Sequence, residues 1–465
     1  MSAYLPRRQA ERRGLRLWPV GLVLAGTFAV AILVAAVVFY TGWDLLGAQG
    51  LKPERRIDSK TLFDLVKLSF GVVAGAGALV ALVVAYRRQR VDEDGALREA
   101  TRLHTERFTA AVTQLGEESA AVRLGGVHAL AGLADDAPTR GLRQTCIDVL
   151  CAYLRLPYTA ENDLPAGDTE ARHTYLALRE VRHTIIRLIR DHLRLEAEHP
   201  HSWQGHDFDL TQVTFDGGDL SAARFSGGTV SFRDATFDGD TINFRDVQSS
   251  GSTIDFSDAT FRGGTVDFRG TTFSDGAVYF RATRFCGGMV AFSSAWVSGG
   301  TVDFNHANFD GGAVDFSDAM FTGGTVDFSD AHVIGGRIDF NHATFEDGTV
   351  RFLSTTFSGL TARYRGAADF AGAQFSGSTV HFNHANFKGC AVVRFKGAVF
   401  SDGTVDFRDA RFSGGTVDFR DARGVAPVGL VPSGGASAPS GLNLPLAWTR
   451  HGRDGGDPPP PDGAV

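Results

Sequence analysis

The chain has 465 residues, of which 43% are hydrophobic and 21% are charged, and its formal net charge is −7. These averages describe a globular protein of several domains, and the 4 cysteines, without regular spacing, exclude a disulfide framework and suit a reducing compartment. Two counts are unusual, because Phe occurs 36 times and Gly 56 times. Their joint excess indicates a repeated structural unit.

The N-terminal region contains two uncharged apolar runs, which we expect to be transmembrane helices. Residues 17–42 and residues 68–86 are each long enough to cross a hydrocarbon core of about 30 Å. Arginines in the basic tail 1–16 and directly after residue 86 place both termini in the cytoplasm by the positive-inside rule, with loop 43–67 outside. A cleavable signal peptide is the alternative for the first run.

The second apolar run contains Gly71 and Gly75, separated by three residues. Small residues at this spacing let two membrane helices pack closely, so the pair is a candidate helix–helix contact and a homodimer is one expected state. Glycine is also common in membrane helices generally, and that explanation stays open. Neither run carries an ionisable residue, so anchoring in membrane lipid is the predicted role.

Residues 87–200 show apolar residues at helical spacing and predict a small antiparallel helical domain. Helices are expected over 96–115, over 117–133, over a stretch that stops before Pro157, and over 169–195. The histidines and cysteines of this region lack the spacing of a metal site, so structural or solvated roles are predicted for them.

Residues 201–423 repeat a 12-residue unit that reads Ala-x-Phe-x-Gly-Gly-Thr-Val-Asp-Phe-x-Asp. Each unit supplies two short extended pieces, Val-x-Phe and Ala-x-Phe, whose alternate side chains point the same way. Copies stacked in parallel would bury these side chains in one continuous core. The predicted core phenylalanines are Phe232, Phe244, Phe256, Phe261, Phe268, Phe273, Phe280, Phe304, Phe316, Phe328, Phe340 and Phe352.

The size of one coil of this solenoid follows from the space inside it. A 12-residue coil has a perimeter of roughly 40 Å, which leaves little interior for two Phe, one Val and one Ala. Two units, or 24 residues, are therefore favoured as one four-sided coil, which gives about eight or nine coils.

Two segments of the repeat resemble the pentapeptide-repeat family. They are residues 259–263, Ala-Thr-Phe-Arg-Gly, and residues 367–375, Ala-Ala-Asp-Phe-Ala-Gly-Ala-Gln-Phe. The family places Ala two residues before a central Leu or Phe, and the resemblance implies a four-sided right-handed parallel β-helix. Alternate sides here carry two extra residues, which departs from the regular square cross-section. Residues 106–112, 143–150 and 180–186 also resemble the helical region of membrane-attached bacterial members.

An Asp follows the Val of many units, and these residues are expected to point outward as an acidic stripe. The resemblance offers one role, because some pentapeptide-repeat proteins are thought to present a DNA-like charged rod to topoisomerases. The simpler interpretation is a solvated face that keeps a Phe-rich rod soluble. No direct nucleic-acid binding is expected from an acidic surface. The candidate stripe comprises Asp255, Asp267, Asp303, Asp315, Asp327 and Asp339.

No motif of the chain carries recognisable chemistry. Three Asn-His-Ala segments contain His306, His342 and His384 where sister units have Asp, which predicts a role at a corner of the coil. We find no phosphate loop, Cys-x-x-Cys, metalloprotease His pair or nucleophile elbow, so no enzyme activity, cofactor or metal is predicted. Residues 424–465 are rich in Gly, Pro and Ser and are expected to be disordered.

The sequence therefore predicts a bacterial plasma-membrane protein with two transmembrane helices, a small α-helical domain and a right-handed parallel β-helix. The expected function is a membrane-tethered cytoplasmic scaffold that binds a protein partner and has no catalytic activity. The alternative is a DNA-mimicking regulator of a topoisomerase or another DNA-binding protein.

Overall fold

The computed structural model describes residues 58–359, 367–428 and 441–450, with isolated helical positions between 26 and 44. The chain divides into two compact units, Met1–Arg102 and Leu103–Val465. Apart from those isolated positions, the predicted basic tail 1–16, the predicted first span 17–42 and most of loop 43–67 lie outside the described residues.

The described helices follow the chain from residue 59 onward. They are α1 (Ser59–Leu115), α2 (Ala120–Asp135), α3 (Arg140–Leu154), α4 (Thr169–Arg194) and α5 (Leu446–Arg450), with a short 3₁₀ turn at Glu161–Asp163. The predicted helices 117–133 and 169–195 correspond to α2 and α4, and the helix expected before Pro157 is α3. Two of these helices start at capping residues, because Thr139 accepts a hydrogen bond from the Leu142 amide and Asp168 from the Ala171 amide.

The predicted span 68–86 and the predicted helix 96–115 are parts of one continuous helix, α1. The charged residues between them do not interrupt it, because this stretch contains no Pro and its charges pair along the helix, as Arg90 does with Glu93 at 3.9 Å. Within the described residues, one helix, Leu62–Leu115, is long and apolar enough to cross a membrane. Two predicted spans thus become one candidate in the part of the chain that is described.

Helices α2, α3 and α4 pack around a common apolar core in the second unit. Val127 and Leu130 of α2, Ile147 of α3, and Val181 and Ile185 of α4 are buried within it. These side chains recur at helical spacing, which gives each helix one apolar face directed at the others.

Residues 208–424 form a parallel β-solenoid of about nine turns, in which each full coil has four sides. Strands of one side stack on the same side of the next coil and pair in parallel. We number the sides 1 to 4 in the order in which the chain passes through them. In later coils one long strand covers side 4 and then side 1.

The strands of each side are as follows. Side 1 contains β1 (Phe208–Asp209), β5 (Thr229–Ser231), β9 (Ser252–Asp255), β13 (Gly276–Tyr279) and β17 (Thr301–Asp303). Side 2 contains β2 (Thr214–Phe215), β6 (Thr236–Phe237), β10 (Thr260–Phe261), β14 (Arg284–Phe285), β18 (Asn308–Asp310), β21 (His332–Ile334), β24 (Thr356–Gly359), β27 (Asn386–Gly389) and β30 (Arg411–Ser413).

Side 3 contains β3 (Gly218–Asp219), β7 (Ile242–Asn243), β11 (Thr265–Asp267), β15 (Met289–Ala291), β19 (Ala313–Asp315), β22 (Arg337–Asp339), β25 (Ala367–Asp369), β28 (Val392–Arg394), β31 (Thr416–Asp418) and β33 (Leu442–Asn443). Side 4 contains β4 (Arg224–Ser226), β8 (Gln248–Ser250), β12 (Thr272–Phe273), β16 (Trp296–Val297) and β32 (Arg423–Gly424). The strands that cover sides 4 and 1 together are β20 (Met320–Asp327), β23 (Thr344–Arg351), β26 (Gln374–His381) and β29 (Val399–Asp406).

The register of these strands decides the size of the coil. Phe237 pairs with Phe261, and Phe261 pairs with Phe285 in the next coil, so one coil takes two repeat units, 24 residues. The favoured 24-residue coil is confirmed and the 12-residue coil is wrong. The longest coil takes 30 residues, as Arg337 pairs with Ala367, because the undescribed residues 360–366 lie between β24 and β25. The first coil takes 22 residues and the coil that begins at Ala367 takes 25.

The interior is a ladder of stacked phenylalanine rings. All twelve phenylalanines predicted for the core lie there and are buried. Phe256, for example, stacks on Phe232 at 4.6 Å and on Phe280 at 4.8 Å between ring centroids, with nearly parallel planes. Burying one Phe is worth about 1.5–3 kcal/mol in transfer terms, so this ladder is the main source of cohesion between coils.

Part of the predicted disordered tail is ordered. Residues 441–450 contain β33 and α5, and they pack against the last coil, whereas residues 429–440 and 451–465 lie outside the described part of the chain. The expectation failed because composition averages over the segment hide an apolar cluster, Leu442, Leu444, Leu446 and Trp448, within it.

Candidate interaction surface

The aspartates of the predicted stripe close corners of the coil. Asp303 Oδ1, for example, accepts a hydrogen bond of 2.8 Å from the amide of Asn305, two residues on. This is the Asx-turn arrangement, in which the side chain substitutes for a backbone turn acceptor. The same bond to the residue two positions on is made by Asp255, Asp267, Asp315, Asp327 and Asp339.

These six carboxylates lie on two sides of the solenoid rather than in one outward stripe. Because one coil holds two units, successive units put their aspartate alternately on side 1 (Asp255, Asp303, Asp327) and on side 3 (Asp267, Asp315, Asp339). Asp267 and Asp303 are buried, with 2% and 6% of their surface exposed, and the other four are half-buried. The predicted single stripe is therefore divided between two sides, and its carboxylates are largely covered at the corners that they close.

Arginines pair with many of these carboxylates. Arg269 Nη2 lies 2.5 Å from Asp267 Oδ2, and Arg281 Nε lies 2.5 Å from Asp303 Oδ2. Burial on its own would raise the pKa of Asp267, but the hydrogen bonds from the Arg269 side chain and amide outweigh it, so this pKa lies below its usual range. At Asp339 burial prevails and raises the pKa. Much of the acidity of sides 1 and 3 is thus neutralised locally.

The three histidines of the Asn-His-Ala segments lie at exposed corners of the coil. His306, His342 and His384 have φ of 58°, 57° and 58°, in the left-handed region. The corresponding aspartates Asp258 and Asp318 have φ of 62° and 56°. The predicted corner role is confirmed, because each of these residues closes a turn that requires positive φ.

On side 4, the column of residues that holds Trp296 and Met320 lacks the paired charges of the aspartate columns on sides 1 and 3. Sides 4 and 1 belong to one sheet, and on side 4 Trp296 and Met320 pair in neighbouring coils with 49% and 42% of their surfaces exposed. Trp296 Nε1 donates a hydrogen bond of 3.0 Å to Thr322 Oγ1 in the next coil. The column that holds Trp296 and Met320 is otherwise uncharged over Gln248, Thr272, Thr344 and Gln374.

Sequence reasoning missed Trp296 and Met320. The signal was present, because the two coils before Trp296 and the two after Met320 have Gln or Thr at this position. An exposed Trp beside an exposed Met on a rigid sheet is the composition of an interface centre rather than of a solvated face.

A second missed group joins the helices to the first coils. Asp216, at the end of β2, accepts hydrogen bonds from Tyr158 (2.5 Å) and Tyr175 (2.8 Å), and its carboxylate lies 3.3 Å from His183 Nε2 and from Arg179 Nε. Burial opposes the charge of Asp216, but these donors dominate and hold its pKa far below the usual range. The residues of this cluster come from distant parts of the chain, so no spacing in the sequence predicts that they meet.

The neighbourhood of this cluster contains an open apolar groove of about 410 Å³. Its lining includes Val112, Leu115, Val149 and Leu178. Arg182 also lines the groove, and its guanidinium donates hydrogen bonds to the Leu154 and Thr214 carbonyls, both at 2.6 Å. The groove contributes no acid–base pair.

The other candidate residues of the sequence analysis do not form a binding or catalytic site among the described residues. A β-carbon at Gly71 or Gly75 of α1 would meet no atom within 4 Å, and their helix–helix contact stays a prediction. Burial raises the pKa of Cys146 to about 11, so this thiol is not a nucleophile at neutral pH. Among the residues that the structure describes, no group of three or more His, Cys, Asp or Glu could hold a metal ion.

Comparison with known proteins gives one match, in the C-terminal coils. Residues 370–423 match the family model described as "Pentapeptide repeats (9 copies)". No curated protein and no solved structure matches the chain. The matched segment contains sides built on Ala-x-Phe and stacked in parallel, which is the unit that continues back to the first coil. The C-terminal coils, residues 370–423, therefore consist of pentapeptide repeats.

Proposed function

We propose that the protein is a membrane-tethered scaffold whose solenoid binds a partner protein and performs no catalysis. The observation that carries the binding role is the exposed pair Trp296–Met320 on side 4. A stacked Phe core makes this face rigid, so a partner would meet a preformed surface at little cost in ordering. The family supports this class of function, because a repeat solenoid is a protein-interaction or scaffold module.

The tether rests on the apolar part of α1. Its large side chains face outward, including Leu68, Phe70 and Leu82, each with about two-thirds or more of its surface exposed. Such a surface is costly in water and favourable in lipid. With arginines at 87, 88 and 90 directly after it, the positive-inside rule favours a cytoplasmic solenoid.

The binding role is tested by photo-crosslinking in native membranes. A photoreactive amino acid at Thr344, next to Met320 on side 4, is expected to capture a protein partner, whereas the same group at Asn308 on side 2 is not. The substitution Trp296→Thr restores the residue found at Thr272 and should abolish capture without unfolding the coil. Equal capture from both sides would contradict the proposal.

The location is tested by thiol labelling of intact cells with a membrane-impermeant reagent. The exposed Cys286 and Cys390 of the solenoid are natural reporters, and we expect them to be labelled only after permeabilisation. A Ser59→Cys variant reports the external loop and is expected to be labelled in intact cells. Labelling of Cys286 in intact cells would reverse the orientation.

The DNA-mimic alternative has less support. Its stripe is divided between sides 1 and 3, and carboxylates such as Asp267 and Asp303 are buried and paired with arginine. A duplex presents its charges fully exposed at a regular spacing. Dose-dependent inhibition of DNA supercoiling by the full chain would restore this alternative.

A further inference from the structure

The outward residues of side 4 form a column that is chemically symmetric about its centre. Six consecutive coils contribute one residue each, and each residue pairs with the next one along the sheet. The two large apolar residues in the middle are flanked at both ends first by a Thr and then by a Gln. This side 4 column comprises Gln248, Thr272, Trp296, Met320, Thr344 and Gln374.

A symmetric column of this kind is complementary to itself. A closed dimer uses the same patch on both copies, so the patch must match itself after a two-fold rotation. A two-fold axis that runs along the strands, midway between β16 and β20, turns the side 4 column end for end. It would set Trp296 against Met320 of a second copy, and each Thr and Gln of the column against a residue of its own type.

The facing residues would form favourable pairs. Trp296 and Met320 are both exposed, and a thioether packs well against an aromatic ring, so the axis would create two such contacts. The indole is already held by its hydrogen bond to Thr322 Oγ1, which lowers the cost of ordering it on association. Thr hydroxyls and Gln amides each carry a donor and an acceptor, so like residues can bond to each other. The patch thus has an apolar centre and a polar rim, the usual anatomy of an interface.

Charges at the ends of the column favour one direction of the two rods. The column continues to Arg224 at one end and to Val399 and Arg423 at the other. With parallel rods each residue of the column would meet its own copy, so each arginine would face an arginine, and like charges across an interface cost affinity. With antiparallel rods Arg224, which already pairs with Glu196 at 2.5 Å, lies opposite Val399 of the second copy. The antiparallel arrangement is therefore favoured.

We propose that side 4 is a homodimer interface, on which a second copy of this chain docks side by side and antiparallel through its own side 4 column. The inference rests on the proposed function, because it names the partner that the Trp296–Met320 pair binds. Six coils extend for about 29 Å along the rod. The contact is only one side wide, so it buries less than the standard area of about 800 Å² per partner. We therefore expect a weak dimer, with a Kd of about 1 μM or above.

The first test is analytical ultracentrifugation of the full chain in detergent over a range of concentrations. We expect Trp296→Thr to weaken the dimer at least about tenfold, because a central Trp carries much of the binding energy of an interface. His332→Thr, at an exposed position on side 2, is the matched control and should leave the dimer unchanged. A chain that is monomeric at every concentration would overturn the proposal. So would a dimer that Trp296→Thr does not weaken, since it arises elsewhere, for example at α1.

The second test reads the direction of the rods by crosslinking, and it does not depend on the Trp296 variant. The exposed Cys286 and Cys390 are first replaced by Ser. A bismaleimide with a reach of about 10 Å, the spacing of packed sheets, should then join a Thr272→Cys chain to a Thr344→Cys chain. Neither variant should crosslink to itself, because equivalent positions lie three coils, or about 14 Å, apart along the rod. Crosslinking of either variant to itself would indicate parallel rods and overturn the proposal.

Photo-crosslinking in native membranes separates this inference from the proposed function. A photoreactive amino acid at Thr344 should capture a second copy of the chain, which mass spectrometry identifies by peptides of this sequence alone. Capture of a different protein, with no homodimer, would overturn the inference and leave the proposed function standing. If nothing is captured from side 4, both the inference and the proposed function are contradicted.

Discussion

Each core phenylalanine touches rings both along and across the solenoid. Phe304 stacks on Phe280 and Phe328 at 4.7 and 4.6 Å, and meets the edge of Phe316 at 6.3 Å. Stacked and edge-to-face pairs add to the burial of the ring. One residue therefore packs against rings of both neighbouring coils, and its removal should destabilise the packing of all three coils.

Replacement of Phe304 by Ala should cost about 3–5 kcal/mol, because it opens a cavity in a core that has no mobile neighbour to fill it. Urea unfolding of the wild-type and variant chains measures the loss. Phe412→Ala is the matched control, because Phe412 is half-buried in the last coil and should cost much less. Equal losses at the two positions would argue against a continuous ladder.

The ion pairs of the corner carboxylates make stability depend on acid. Burial opposes the charge of Asp406, but hydrogen bonds from Arg408 lower its pKa from 3.8 to about 2. Because the folded-state pKa lies below the unfolded one, this carboxylate stabilises the fold at neutral pH, and its contribution is lost as the pH falls from about 4 to 2. Thermal unfolding over this range should show a smaller acid sensitivity in Asp406→Asn, which can still accept the Arg408 amide. If Asp406→Asn has the same acid sensitivity as the wild-type chain, groups other than Asp406 cause that sensitivity.

At the scale of the element, the corners of the coil stabilise strands of only two or three residues, because they fix the turn at the end of each strand. His306 has φ of 58°, which β-branched residues adopt only with strain. His306→Val should therefore destabilise the coil by about 1–2 kcal/mol, whereas His306→Asp restores the consensus residue and should be neutral. Chemical denaturation of both variants is the measurement. A destabilised Asp variant would show that the imidazole itself matters.

The elements also show what the sequence could and could not predict. The period of the Phe residues predicted the parallel solenoid, because a repeat specifies its own stacking. The interior space that two Phe, one Val and one Ala need favoured the 24-residue coil over the 12-residue one. The low exposure of Asp267 was not predicted, since strand alternation takes no account of a side chain that bonds to the next corner. The order of residues 441–450 was missed because Leu442 and Trp448 gain their partners from a coil that precedes them by some 20 residues or more. Trp296 departs from the repeat pattern in the sequence, but only its exposure in the structure indicates a binding surface.

At the scale of the whole molecule, a solenoid transmits stability only between neighbouring coils. Asp216 lies at one end of it and holds Tyr158, Tyr175 and Arg179 of the helical region. Asp216→Ala removes the acceptor of the Tyr158 and Tyr175 hydroxyls, whereas Arg179 keeps Asp240 at 2.9 Å, so we expect a cost of about 1–3 kcal/mol. We expect faster amide hydrogen exchange in α4 and in β1 to β4, and unchanged exchange in β26 to β31, because many intact coils separate the two regions. Hydrogen–deuterium exchange with mass spectrometry resolves both. A uniform acceleration along the chain would mean that the solenoid unfolds as one cooperative unit, and that its helical cap controls the whole rod.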